Sequence, residues 1–540
     1  MTPTTTNSAD TRWWVRLSVA WPLILILLVG VFFRAQRLSE ISYWFDESFC
    51  LKMAEFPLPE LWERAANDPH PPLFYFLLRP WLILFGNSTL GTRMTSLFPG
   101  LLAIVGAYLL VREAYRDQVS VTNSRSAISA ALLTAAVVSL SPLHIAWSYQ
   151  VRMYSMGAAL AAYCGWFLLR ALRRKSFRVV NWICFTLVAT ALAYTHVFGM
   201  LTVAAQFAFI AGYVWLGRPT PEMPSRRQCL TAGLCSLVCV CLAWLPWLPS
   251  FLHQRQLVIE GFWTPPFSWK AVGLLFFELF DLNKCLSPAP VLGLVIGQVC
   301  LIALLMVLLG RQLGDIYLAV TAGLPFLAGI VISAVSRNVL CARYFMFAEI
   351  YLFAAICVLV CRIPNRFASI GCSIVVLMGI GFLACQQYQK READSLLPGM
   401  RGAMAHIDST RKVGEPLIVC DPAIFASVVA HTTKRQETFT FYPGTPYPFT
   451  HGAAVIRDDE YLSADELQQS KYQLVWAFDA ETWNWKVPMP SRWTLLGEKR
   501  FKEFNGVFVL RLYGRDADNI AMRPTTDAPV SAKLNSIRLK

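Results

Sequence analysis

Charge is what this sequence lacks. Asp, Glu, Lys and Arg together make up only 15% of its 540 residues, whereas hydrophobic side chains make up 56%. Soluble domains average about 25% charged residues, so water is not the only solvent for this chain. Histidine is rare, with seven in all, and no Cys/His spacing of the metal-binding kind occurs. The 15 cysteines fall mostly inside apolar runs, among them Cys229, Cys235, Cys239, Cys241 and Cys372. A thiol there behaves as a small hydrophobe, so neither a zinc module nor a disulfide framework is implied. The first apolar run has no small-residue cleavage pattern, which makes it a retained signal-anchor. Internal repeats are missing as well, and so are the matched, Gly/Pro-broken helix pairs of a secondary transporter.

What the chain does have is a series of apolar runs long enough to cross a bilayer, which takes roughly 20 residues each. The net charge of +14 would suit nucleic acid, but the arginines lie in short connections between apolar runs. That is the positive-inside pattern, and it excludes nucleic acid as a partner. The fold class expected is an all-α polytopic membrane protein. Its spans are 18–33, 92–111, 127–143, 153–171, 179–194, 198–215, 230–248, 291–309, 316–335, 344–360 and 368–385. Eleven spans put residues 1–17 in the cytoplasm and everything after 385 outside.

The topology turns on the segment 73–85, which is apolar but short and carries Arg79-Pro80. If it crossed, the basic cluster Arg170, Arg173, Arg174, Lys175 and Arg178 would face outward together with Arg218, Arg226 and Arg227. As a juxtamembrane helix it leaves all of them inside, as the positive-inside rule prefers. The first extracytoplasmic loop is then 34–91, with an amphipathic surface piece at 49–65 interrupted by Pro57 and Pro59. A second external loop, 253–290, holds an apolar surface or re-entrant helix at 272–282. Charge, Gly and Pro return after Gln386. Short buried strands at 417–421, 473–479 and 507–512, with a capping box at Ser463-Ala-Asp-Glu466, predict a small extracytoplasmic α/β domain over 390–515. Residues 516–540 are polar and expected to be disordered.

The chemistry concentrates in the loop 34–91. Tyr43-Trp-Phe-Asp46-Glu47 sets two adjacent carboxylates beside a membrane segment, where ionisable groups are usually functional. One of them can serve as a general base. His70 lies between Pro69 and Pro71, which hold its backbone extended, so it can orient a carboxylate or bind a phosphate. Arg152 with Tyr154, His196, and Arg343 with Tyr344 fall at the outer ends of spans under the same parity argument. An arginine at that depth is stable if it meets an anion, and a lipid-linked phosphate is such an anion.

In this order, Asp46-Glu47, Asp68-Pro-His70-Pro71-Pro72-Leu73, Arg152-Met-Tyr154 and Tyr194-Thr195-His196 resemble the GT-C superfamily of polyprenyl-phosphate-sugar-dependent glycosyltransferases. Within it they resemble the protein O-mannosyltransferase and aminoarabinose transferase branch, over residues 20–385. The resemblance implies an external cavity between the first loop and the bundle, a polyprenyl-phosphate sugar donor and Asp46 as base. Two departures stand out. Phe74 and Tyr75 follow Leu73 where mannosyltransferases have Gly-Lys, so an arginine or histidine elsewhere must meet the phosphate. Residues 144–163 contain no Asp or Glu, so no two-carboxylate metal site and no cofactor is expected. The expected chemistry is inverting transfer to a hydroxyl or amine of a lipid, glycan or protein, with Arg152 and Arg343 holding the departing phosphate. The expected setting is the outer face of a bacterial inner membrane. A lipid-glycan flippase and a non-catalytic membrane scaffold are the other two readings.

Overall fold

The computed structural model describes residues 8–116, 121–174, 178–216, 224–284 and 286–515. Lys175, Arg218 and the tail 516–540 lie outside them. The chain divides into a helical unit, Met1–Leu396 with Pro448–Val455, and a second unit, Leu397–Tyr447 with Ile456–Lys540.

The helical unit opens with α1 (Ser8–Ala35), which begins ten residues before the first span expected at 18–33. The first loop then folds as three short helices, α2 (Phe45–Met53), α3 (Leu58–Ala65) and α4 (Leu73–Phe85). The expected amphipathic piece is therefore split: Pro57 caps α3 and Pro59 sits in its first turn, where a missing N–H costs nothing. α4 has 13 residues, too few for the bilayer core, and stops at Gly86 with φ +74, a conformation glycine adopts without strain. Ser88 caps α5 (Thr89–Ala114), its hydroxyl accepting the Gly91 N–H at 3.1 Å.

The next span breaks where the sequence reading ran it straight. α6 (Val121–Leu140) ends before Ser141, and α7 (Pro142–Ser148) leaves at 58°, because Pro142 has no N–H for the ladder of α6. The break carries the chain through a turn at 149–153 into α8 (Tyr154–Arg173). There follow α9 (Arg178–Ala193), α10 (Val197–Leu216), α11 (Arg226–Trp244), α12 (Leu248–Gly261), α13 (Trp269–Leu279), α14 (Pro290–Leu309), α15 (Leu313–Val335), α16 (Met346–Cys361) and α17 (Arg366–Ser395). Among the described residues, eight helices are long and apolar enough to cross a membrane, and nine if the bent pair is one span. Ala20–Ala35 and Arg178–Ala193 are apolar but shorter. The surfaces of α14 and α17 are largely exposed Leu, Ile and Val, as lipid-facing helices require. The bundle is thus a polytopic α-helical membrane protein.

The second unit is built on a six-stranded sheet in the order β3-β2-β1-β4-β6-β5. Its strands are β1 (Leu417–Val419), β2 (Thr438–Tyr442), β3 (Tyr461–Ser463), β4 (Leu474–Ala480), β5 (Trp493–Glu503) and β6 (Gly506–Arg515). β3, β2, β1 and β4 are parallel, whereas β6 pairs antiparallel with both β4 and β5. Helices α18 (Gly399–Thr410), α19 (Pro422–His431) and α20 (Ala464–Gln469) complete it. The Ser463/Glu466 capping box starts α20. β1, β4 and β6 cover the three strands expected; β2, β3 and β5 are additional.

Candidate active site

Asp46 lies in the first turn of α2, where the positive end of the helix favours a carboxylate. Its neighbours come from three other segments. Arg152, in the turn before α8, brings its Nε to 4.0 Å from Asp46 Oδ2. It also donates from Nη1 to the Asp46 carbonyl at 3.4 Å and approaches Cys50 Sγ at the same distance. Arg343, just ahead of α16, adds a second positive charge near Asp46. Burial pushes the Asp46 carboxyl up, but the two guanidiniums, His70 and a hydrogen bond with Trp44 outweigh it, and the pKa falls below the ordinary 3.8. Asp46 is therefore an ionised carboxylate at neutral pH.

His70 is held by a local turn. Asp68 Oδ2 accepts from the His70 backbone N–H at 3.3 Å, from Tyr75 Oη at 2.8 Å, and faces His70 Nδ1 at 3.1 Å. A carboxylate accepts only, so the imidazole proton belongs on Nδ1. That leaves the Nε2 lone pair toward Arg152 Nη2 at 3.4 Å. The chain Asp68, His70, Arg152 thus aims the guanidinium at Asp46. Gln254 of α12 secures the turn from behind, its Nε2 donating to the carbonyls of Ala65 at 3.0 Å, Asp68, and His70 at 3.4 Å.

His196 sits in the α9–α10 turn with its ring 5.1 Å from His70, 4.9 Å from Tyr344 and 5.6 Å from Tyr154. Its Nδ1 accepts the Phe198 backbone N–H at 3.0 Å, so the neutral ring carries its proton on Nε2. Burial holds both histidines below the usual 6.5: for His70 it outweighs the opposing pull of Asp68, and for His196, which lies well below, the nearby positive charges add to it, so both are neutral at pH 7. Arg343 is boxed by the rings of Trp147, Trp263, Tyr344 and Tyr154 at 5.3, 5.5, 5.4 and 5.9 Å.

Seven of the eight residues singled out in the sequence therefore meet: Asp46, His70, Arg152, Tyr154, His196, Arg343 and Tyr344. The eighth, Glu47, does not join them. Arg93 takes both its oxygens at 2.9 Å, and the backbone N–H groups of Trp44 and Val151 donate to it at 3.0 Å. Arg93 in turn donates to the carbonyls of Leu38, Ile41 and Ser42. Glu47 and Arg93, both almost wholly buried, tie the first loop to α5. Reasoning from sequence assigned no role to Asp68, Tyr75, Trp147, Cys50 or Gln254. Asp68 is the one with a visible signal, since an Asp two residues before a Pro-flanked His is placed to form such a turn.

Among the described residues, four buried donors around Asp46 have no hydrogen-bond partner: Arg152 Nε, Tyr154 Oη, His196 Nε2 and Arg343 Nε. All four can donate, and buried donors rarely stay unpaired in a folded protein. The acceptor that suits two guanidiniums, a hydroxyl and an imidazole N–H is an anion with several oxygens. His70, His196 and Tyr344 also line a cavity of about 370 Å³, whereas Asp46, Arg152, Tyr154 and Arg343 are not part of its wall. The rest of its wall is mainly apolar, from α10, α12 and α15, including Leu201, Val258, Ile259 and Ile332. Among the described residues, no group of three or more His, Cys, Asp or Glu is placed to hold a metal ion.

The chain shares its fold with two solved proteins. It is similar to ArnT from Cupriavidus metallidurans in the apo state, at 14% identity and a TM-score of 0.58, over 93% of this chain and 98% of ArnT. ArnT bound to undecaprenyl phosphate gives 0.56 at the same identity, over 92% and 98%. The Archaeoglobus fulgidus oligosaccharyltransferase in complex with Zn and sulfate gives 0.51 at 14% identity, over 90% of this chain and 73% of that one. No family model and no curated protein matches the sequence.

Proposed function

We propose that this protein is an integral-membrane glycosyltransferase that moves a sugar from a polyprenyl-phosphate donor to an acceptor hydroxyl or amine, with inversion. The observation that carries the reading is the meeting of one ionised carboxylate, Asp46, with four buried donors that have no hydrogen-bond partner among the described residues, one of them on His196, which also lines a largely apolar cavity. A phosphate on an apolar tail matches both halves. The fold shared with a protein bound to undecaprenyl phosphate supports the donor class.

In the reaction, Asp46 removes the proton from the acceptor as its oxygen or nitrogen attacks the anomeric carbon. The bond from that carbon to the phosphate oxygen breaks, and the electron pair leaves with polyprenyl phosphate. Arg152, Arg343, His196 Nε2–H and Tyr154 Oη receive the charge that builds on the phosphate, already oriented before the step. Because two guanidiniums supply that charge, no divalent cation is assigned a role.

Occupancy of the site changes the base. With a phosphate drawing on Arg152 and Arg343, Asp46 loses part of the field that keeps its pKa low, and it becomes a better proton acceptor when the donor is bound. The setting proposed is a bacterial inner membrane, with the site at its outer face. The test is to incubate the purified full chain with a panel of polyprenyl-phosphate sugars and an acceptor extract. The expected result is consumption of one donor with release of polyprenyl phosphate, undiminished in EDTA. Failure of every donor, together with failure of polyprenyl phosphate to bind, would overturn the reading.

A further inference from the structure

The far ends of α5 and α8 enclose a second polar cavity, of about 340 Å³. From Tyr154, at the candidate active site, α8 runs to Arg170 at this cavity, about 24 Å at 1.5 Å per residue. The two places thus lie toward opposite membrane surfaces. The lining includes Arg112, Arg116, Arg170 and Arg174 with Glu113 and Trp166. Arginines at span ends usually splay among headgroups. Here four converge on one hollow.

Glu113 is buried and accounts for only part of that charge. Arg174 donates from Nε to its Oε1 at 2.9 Å and from Nη2 to its Oε2, while Arg116 comes no nearer than 3.8 Å. Arg170 lies 4.7 Å over the Trp166 ring and uses its Nε on Asn181 at 3.1 Å. Its terminal amino groups make no hydrogen bond among the described residues. Arg112, exposed, reaches only the Tyr108 hydroxyl, at 3.4 Å, among the described residues. Four guanidiniums and one carboxylate leave an excess of three positive charges around the hollow.

We infer that this cavity binds the phosphate of an anionic lipid headgroup, in the leaflet opposite the candidate active site. Guanidinium forks match phosphate oxygens two at a time. The cavity lies at the ends of two helices long and apolar enough to cross a membrane, where headgroups are met, and a Trp such as Trp166 is the side chain that settles at that interface. The inference stands apart from the proposed function. A lipid there would pin together the ends of α5 and α8, whose other ends carry Arg93 and, in the preceding turn, Arg152.

The experiment uses the delipidated full chain in neutral detergent. Its melting temperature and bound lipid, by native mass spectrometry, are followed on adding phosphatidylglycerol, phosphatidylcholine or inorganic phosphate. Phosphatidylglycerol is expected to bind and stabilise and phosphatidylcholine not to. Arg112→Gln with Arg116→Gln, both exposed and therefore neutral to folding, should weaken phosphatidylglycerol roughly 25-fold, about fivefold for each arginine. Arg227→Gln, exposed at the start of α11 and not part of the cavity wall, should change it less than about threefold, as for a screened surface charge. An equal loss in Arg227→Gln, or no preference for the anionic lipid, would overturn the site. Inorganic phosphate stabilising as strongly as phosphatidylglycerol would overturn the lipid as its source.

Discussion

Replacing Asp68 by Asn removes one negative charge and no bulk, and its effect is felt two residues away. In the wild type, Asp68 Oδ2 meets His70 Nδ1 at 3.1 Å, which leaves Nε2 as an acceptor facing Arg152 Nη2 at 3.4 Å. With an amide at position 68 the proton is no longer held on Nδ1. In the other tautomer His70 Nε2–H meets a guanidinium N–H, donor against donor, and Arg152 must turn from its place 4.0 Å from Asp46. A hydrogen bond to a charged group contributes about 1.5–3 kcal/mol, and each 1.4 kcal/mol is tenfold, so the loss is roughly 10- to 150-fold. The assay is affinity for polyprenyl phosphate, with donor turnover alongside. Both are expected to fall within that range while the melting temperature of the purified protein moves by only a few degrees. Turnover and affinity within twofold of wild type would refute the relay.

Three further outcomes follow from the same geometry. Arg343→Met keeps the side chain's packing in its aromatic box but removes the charge, and polyprenyl phosphate should bind roughly 10- to 150-fold more weakly by titration calorimetry. Glu47→Ala leaves Arg93 buried without its partner, which costs about 3–5 kcal/mol. It should appear as a lower melting temperature and lost monodispersity, with turnover per folded molecule largely kept. The histidines predict an acid effect. His70 and His196 have folded pKa values below 6.5, so below pH 6.5 the unfolded chain binds protons that the folded chain does not. Stability then falls as pH drops from about 6.5 toward the folded values, by at most about 1.4 kcal/mol per pH unit for each histidine. His196→Gln should flatten that slope in thermal scans between pH 7 and 5.

The residues that the sequence made legible are those whose position follows from counting spans. Arg152, His196 and Arg343 are far apart in the chain, yet parity puts each at the same end of the bundle, and the structure brings them within one ring's width of Tyr154 and Tyr344. Glu47 was not legible, for a reason of helix geometry. It follows Asp46 on α2, and consecutive helical side chains point about 100° apart, so Asp46 faces Arg152 while Glu47 faces Arg93. Adjacency in sequence suggests a pair where the helix makes two unrelated sites. The break at Ser141 was signalled by Pro142, but an unbroken apolar run masked it. In the second unit, β5 reads Trp-Thr-Leu-Leu-Gly-Glu-Lys-Arg-Phe-Lys-Glu. An edge strand carries charges that keep it from pairing with other chains, and they hide it from a search for buried apolar runs. β2, Thr-Phe-Thr-Phe-Tyr, does alternate with period two, but a search for buried apolar runs passes over its threonines.

The proposed reaction needs Asp46 to act as base beside a bound lipid phosphate. The most direct measurement compares wild type with Asp46→Asn for sugar transfer from the preferred polyprenyl-phosphate donor, and for binding of polyprenyl phosphate itself. The account expects transfer to fall by about 10²- to 10⁴-fold, the usual contribution of a general base, with binding retained or tightened as the phosphate loses a like-charged neighbour. Transfer within tenfold of wild type, in a variant that folds and binds the lipid normally, would contradict it.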